Sequence, residues 1–173
     1  VSLSGLEGGH VVYLASRDNE KGFGVHYNVG LRLPAMYTAT GMAQLGAMDG
    51  AELRKWLTLY PLSSWPEAPS AVRPLTPAQI MEEVSLVRQR GSAIDDAPIQ
   101  IGIWCFAAPV HHRSGAVVAG VGLSHPQPTQ PGEREVNQTA RLGASVARTV
   151  SNRLGYREWA GEAASHPASL RPS

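Results

Sequence analysis

What this sequence has little of narrows its reading first. It holds one cysteine, Cys105, so the chain has nothing to pair with it internally, and a reducing compartment is expected. It carries little net charge, 15 basic against 14 acidic residues for +1. A domain that binds nucleic acid on its own concentrates Lys and Arg, because neutralising phosphates dominates that affinity. No such run occurs here. Arg141, Arg148, Arg153 and Arg157 are scattered over a stretch that reads as the solvated face of a helix. No apolar run approaches the roughly 18 residues that span a bilayer. The opening VSLSGLEGGH lacks the basic and apolar regions of a signal peptide. The chain also starts without Met and close to a strand, so an upstream segment is expected, in a cytoplasmic protein with no membrane association.

What is present suits one globular domain. The apolar fraction of 43% and charged fraction of 17% over 173 residues are enough to bury a continuous core. His10–Ser16 is a β-rich run after a Gly-Gly turn, and the alternation of Phe23–Val29 predicts a second strand. Gly30 and Pro34 then break the chain. From Thr38, an N-cap candidate, composition shifts to the Ala, Met and Gln of a helix. Asp49 with Glu52 repeats the cap signature ahead of Leu53, Trp56 and Leu57.

Residues 58–75 hold four prolines and read as an irregular connector, which Tyr60 and Trp65 pin to the domain. Thr76-Pro77-Ala78-Gln79 is the sharpest local signal, a cap, an N1 proline and a capping-box glutamine opening a helix that Gly91 ends. Ile99–Val110 and Ala116–Ser124 form an antiparallel hairpin, buried on both faces or nearly so, turning at Ser114-Gly115. Glu133–Leu154 carries Val136, Ala140, Gly143, Ala147, Val150 and Leu154 as a narrow stripe for close packing on a sheet or a twin helix. The expected class is α+β, an antiparallel sheet covered by helices, over residues 1–157, followed by a polar C-terminal tail over 158–173.

Few residues carry chemistry. The turn GLRLPAMYTATG leads into a helix start, where free N–H groups and the dipole suit a carboxylate and Thr38 and Thr40 add hydroxyls; an ordinary capped helix explains the segment equally. Cys105 is flanked by apolar residues, as a small buried hydrophobe would be. His111 and His112 lie at the far end of its strand, about 20 Å away at strand rise, so neither nucleophilic catalysis nor a zinc site is expected. No metal-ligand spacing such as CxxC or HxxxH occurs, and no cofactor is expected. Asp95-Asp96 precedes the hairpin and offers acceptors to a pocket or to solvent.

The order of four blocks adds a resemblance. GLEGGHVVYLAS, VGLRLPAMYTATGMAQLGAM, LTPAQIMEEVSLVRQRGSAIDD and GIWCFAAPVHHRSGAVVAGVGLSHP resemble, in order and over nearly the whole chain, the effector-binding domain of the IclR family of bacterial transcriptional regulators. The resemblance implies a GAF-like curved sheet, no catalytic activity and a small acidic effector. It also implies a homodimer or homotetramer, with DNA bound through an N-terminal winged helix-turn-helix absent from this chain. Ala39 and Thr40 match the pair whose backbone holds the effector carboxylate, Asp95 the family aspartate, Cys105 the pocket cysteine and Ser124 the second of two strand serines.

Three departures stand out. Gly122 replaces the first serine, which is expected to enlarge the site. Ala97-Pro98 replace acidic residues, and Met42 replaces a lysine. With Trp104 and Met36 nearby, they imply an effector bulkier and less polar than a two- or three-carbon keto acid, such as an aromatic acid. The alternative is a GAF-like enzyme using Cys105 in redox chemistry, against which the absence of a resolving cysteine counts.

Overall fold

The computed structural model describes residues 1–17, 27–61, 76–95, 103–126 and 132–157. A six-stranded sheet is built from β1 (Ser2–Glu7), β2 (His10–Ser16), β3 (Arg32–Pro34), β4 (Ala93–Asp95), β5 (Ile103–His111) and β6 (Val117–Pro126). Its order is β3-β2-β1-β6-β5-β4, with every neighbouring pair antiparallel. Four helices join it, α1 (Ala39–Ala47), α2 (Gly50–Leu59), α3 (Pro77–Arg90) and α4 (Glu133–Arg153), and a 3-10 turn over Ala35–Tyr37 leads into α1. This is the expected α+β class, with the sheet curled into a half-barrel.

Local chemistry sets the helix ends. Thr38 Oγ1 accepts from the Gly41 amide at 3.1 Å, capping α1. Asp49 and Glu52 form a reciprocal capping box on α2, as Thr76 and Gln79 do on α3. Gly91 closes α3 at φ 70°, a left-handed conformation that glycine takes without a Cβ penalty.

The β5–β6 hairpin is buried on both faces because a helix covers each. Cys105, Ala107 and Pro109 of β5 pair with Ser124, Gly122 and Gly120 of β6 beneath α1. Trp104, Phe106, Ala108 and Val110 alternate to the other face and form a second core with Val121, Leu123 and Ala147 of α4. The first core joins Val11 and Tyr13 of β2 to α1, α2 and α3 through Met36, Leu45, Leu53, Trp56, Ile80 and Val84. Trp56 also donates its indole N–H to the Gly8 carbonyl at 2.9 Å, fastening α2 to the β1–β2 turn.

Three expectations are corrected here. Tyr27–Val29 are not strand; the strand of this region is β3, at Arg32–Pro34, and residues 23–26 lie outside the described ones. Pro34 sits in that strand at the sheet edge, where a missing N–H breaks no ladder between two neighbours. Leu154 lies beyond α4 and is 41% exposed, whereas Thr139 and Ser151 complete the buried stripe. Ser151 is accommodated because its hydroxyl donates to the Ala147 carbonyl and accepts from the His111 amide. The 62–75 part of the connector and the tail lie outside the described residues.

β1 is a strand the local pattern did not announce. Its residues facing α1 are Ser2 and Ser4, with Leu3 on the α4 side, so its inward positions read as polar.

Candidate functional site

The site is assembled where the start of α1 meets β1, β5 and β6. The 3-10 turn packs Ala35 and Met36 fully into the core, which fixes the entry into α1. Thr38 receives the Gly41 amide on its hydroxyl and the Met42 amide on its carbonyl. Ala39 and Thr40 occupy the first turn of α1, where a helix leaves its N–H groups without intrahelical partners. Gln44, 1% exposed, ties the helix down by donating to the Thr40 carbonyl and accepting from the Leu6 amide of β1 at 3.1 Å.

Thr40 faces the sheet over two glycines. A Cβ on Gly122 would lie 2.8 Å from both Ser2 Oγ and Thr40 Cγ2, and one on Gly120 would lie 2.7 Å from the Thr40 carbonyl oxygen. The expected enlargement at Gly122 is therefore corrected: the volume of the missing side chain is taken up by close approach of α1 and β1. Thr40 is 4% exposed and Ser4 0%, and among the described residues neither Thr40 Oγ1 nor Ser4 Oγ has a hydrogen-bond partner. A buried hydroxyl without a partner costs about 1–3 kcal/mol, so each implies a ligand atom or an ordered water.

Two residues further along the same face, Cys105 and Ser124 stand opposite each other in the β5–β6 ladder. The Cys105 thiol donates to Ser124 Oγ at 3.3 Å. Tyr27 places its hydroxyl 4.0 Å from Cys105 Sγ. Burial holds the Tyr27 phenol well above its ordinary pKa, and the neighbouring Cys105 and Tyr13 add to this, so it is a neutral O–H donor at physiological pH. Its ring lies flat on that of Tyr13, with centroids 4.3 Å apart and planes 4° apart.

The structure thus brings together Thr40, Gly122, Cys105 and Ser124 from the expected set, with Ala39 and Thr38 at the helix start. Asp95 lies directly opposite Cys105 in the β4–β5 register; its side chain, with Asp96, Ala97 and Pro98, lies outside what is described. Met36 is core beneath α1. Trp104 is not brought in. It alternates to the α4 face, 5% exposed and tilted against His125, so its role in shaping the pocket is corrected.

Tyr13 and Tyr27 were missed. Tyr27 meets Cys105 from 78 residues away, which no local pattern signals. His111 binds the Gly115 carbonyl and stacks on Tyr156 at the opposite end of β5. Among the described residues no group of three His, Cys, Asp or Glu is placed to hold a metal, and no helix is long and apolar enough to cross a membrane.

A curled antiparallel sheet with a helix start aimed at paired strand residues defines a ligand-binding α+β domain without a DNA-reading element among its described residues. The chain belongs to the IclR family: the model of the bacterial transcriptional regulator IclR C-terminal domain matches residues 1–152. It is 26% identical over 160 residues to the HTH-type transcriptional regulator KdgR of Dickeya chrysanthemi, covering 92% of this chain and 50% of that protein. The crystal structure of the Agobacterium tumefaciens repressor BlcR superposes with a TM-score of 0.75 at 32% identity, over 90% of this chain and 59% of BlcR. The inducer-binding domain of a double mutant of PobR from Acinetobacter, in complex with 3-hydroxybenzoic acid, shares the fold with a TM-score of 0.70 at 21% identity, over 88% and 87% of the two chains. The chain spans about half the length of the curated relative. These relatives are transcriptional regulators, and nothing in the comparisons favours an enzyme using Cys105.

Proposed function

We propose that this domain senses a small organic acid and passes its occupancy to a DNA-binding winged helix-turn-helix outside this chain. The observation that carries the reading is the unpartnered Thr40 hydroxyl, buried at the positive end of α1, where a helix leaves its first N–H groups without intrahelical partners. A carboxylate there would meet both the hydroxyl and the helix start. Thr38 caps and orients the helix start, and Met36 backs it. Cys105 and Ser124 stand at the far end of the site, with Asp95 paired to Cys105 in the neighbouring strand and Gly122 admitting Thr40 close to the sheet. The acid bound by the PobR double mutant supports an aromatic or similarly sized effector.

The domain works as a cytoplasmic homodimer or homotetramer over residues 1–157. An effector that prefers one arrangement of the subunits shifts its population and so alters DNA occupancy. No cofactor, metal or membrane takes part.

Thr40→Val is the decisive variant. It removes an unsatisfied buried hydroxyl while keeping shape and helix propensity. Unfolding stability should hold or rise by about 1 kcal/mol, while calorimetric affinity for organic acids, hydroxybenzoates among them, falls. Unchanged acid affinity in a folded Thr40→Val protein would overturn the reading.

A further inference from the structure

Gln44 joins the start of α1 to the sheet through both ends of one buried amide. Ser4 is the last β1 residue in register with β6. Leu6, two residues beyond that pairing, gives its amide to Gln44 Oε1 at 3.1 Å. Gln44 Nε2 donates in turn to the Thr40 carbonyl at 3.0 Å. The helix ladder already uses that carbonyl, and its second lone pair takes the side chain, so the Thr40 peptide is held twice. Gln44 is 1% exposed, and a Cβ on Gly120 of β6 would come within 3.2 Å of its Nε2. The amide therefore lies on β6 with little room to turn.

A second bond ties the same hairpin to the same helix start. The Ala35 amide donates to the Gly9 carbonyl at 3.0 Å, in the turn that follows β1. Gly41 packs so close to Ala35 that a Cβ there would overlap the Ala35 carbonyl. Leu6, Gln44, Thr40, Ala35 and Gly9 thus form a closed unit around the first turn of α1. The far end of the helix is held separately, by Arg88 of α3, which donates to the Gly46 and Met48 carbonyls at 3.2 and 2.7 Å. A shift of the Thr40 peptide is then taken up at β1 and not by sliding of the whole helix. We infer that Gln44 is a positioning residue of the effector site: it sets the first turn of α1 through the Thr40 carbonyl and couples occupancy there to Leu6 of β1. This inference rests on the acid-sensing reading above. The coupling is reciprocal: a ligand strengthens the Gln44–Leu6 bond by the factor by which losing that bond weakens the ligand.

The test reads both directions on the 173-residue chain, with pyruvate, benzoate and 3-hydroxybenzoate as probes. Near saturation with the tightest-binding probe, hydrogen exchange at the Leu6 amide should slow about fivefold or more beyond any slowing at the Gly91 amide that ends α3. Gln44→Leu, similar in size and as good a helix former, removes both side-chain bonds. It should weaken the same probe by a comparable factor in calorimetry, with Gln44→Met as a second, unbranched form of the test. A lower melting temperature with unchanged affinity in these variants would make Gln44 part of the core alone and overturn its positioning role. Leu6 exchange that a bound probe leaves unmoved would do the same, and acid sensing would stand. Binding of none of the three probes would overturn the acid-sensing reading and this inference with it.

Discussion

Phe106 of β5 occupies the space that any side chain at Gly143 of α4 would need: a Cβ there would come within 2.5 Å of Phe106 Cδ1. Phe106 is fully buried within the core beneath α4.

Gly143→Ala should therefore destabilise the domain although alanine is the better helix former. The steric cost of overpacking is about 1–3 kcal/mol, against roughly 1 kcal/mol gained in helix propensity. The expected outcome is a net loss of up to about 2 kcal/mol in denaturant unfolding, and a variant more stable than the parent would mean that α4 can lift off the sheet freely.

The contact of Gly122 with Thr40 predicts a coupling. Gly122→Ala puts a methyl 2.8 Å from Thr40 Cγ2 and Ser2 Oγ and should cost about 1–3 kcal/mol. In a Thr40→Ser background the Cγ2 methyl is gone, and the same substitution should cost about 1 kcal/mol less. Additive losses in this double-mutant cycle would show that Ser2, not Thr40, is the obstacle.

Asp49 gives a prediction on the acid side. Its carboxylate accepts the Glu52 and Ala51 amides, and these bonds hold its pKa below the ordinary 3.8. A depressed folded pKa contributes stability above the unfolded value that is lost as pH falls through the folded one. Asp49→Asn keeps a capping oxygen without the charge. The parent should be the more stable protein at neutral pH, with the gap closing as pH drops below about 4. A gap that persists in strong acid would assign it to geometry instead of charge.

Tyr27 gives the alkaline counterpart. In the unfolded chain its phenol ionises near 10.0, while burial in the fold keeps it protonated to higher pH. The folded state then binds more protons, so its stability falls as pH rises past the unfolded value. Tyr27→Phe should lose less stability than the parent between about pH 9 and 11, read as melting temperature. Parallel pH curves for the two proteins would place the phenol in water.

Much of this domain is local and was legible without its tertiary structure. Thr38, Asp49, Thr76 and Gly91 set helix ends through groups within three or four residues, so spacing alone predicts them. The apolar hairpin and the small-residue stripe of α4 are likewise periodic signals. β1 escaped because its inward face carries Ser2 and Ser4, whose burial depends on α1, a helix distant along the chain. The sequence by itself determined the caps that start the helices, that an apolar antiparallel hairpin is buried, and which family's order of motifs the chain follows. Only the tertiary structure decided that Trp104 turns from Cys105 to the opposite face, that Thr40 fills the space in front of Gly122, and that Tyr27 meets Cys105. Alternation in a strand fixes that neighbours part company but not which face meets which helix, and that choice is made by packing between segments distant along the chain.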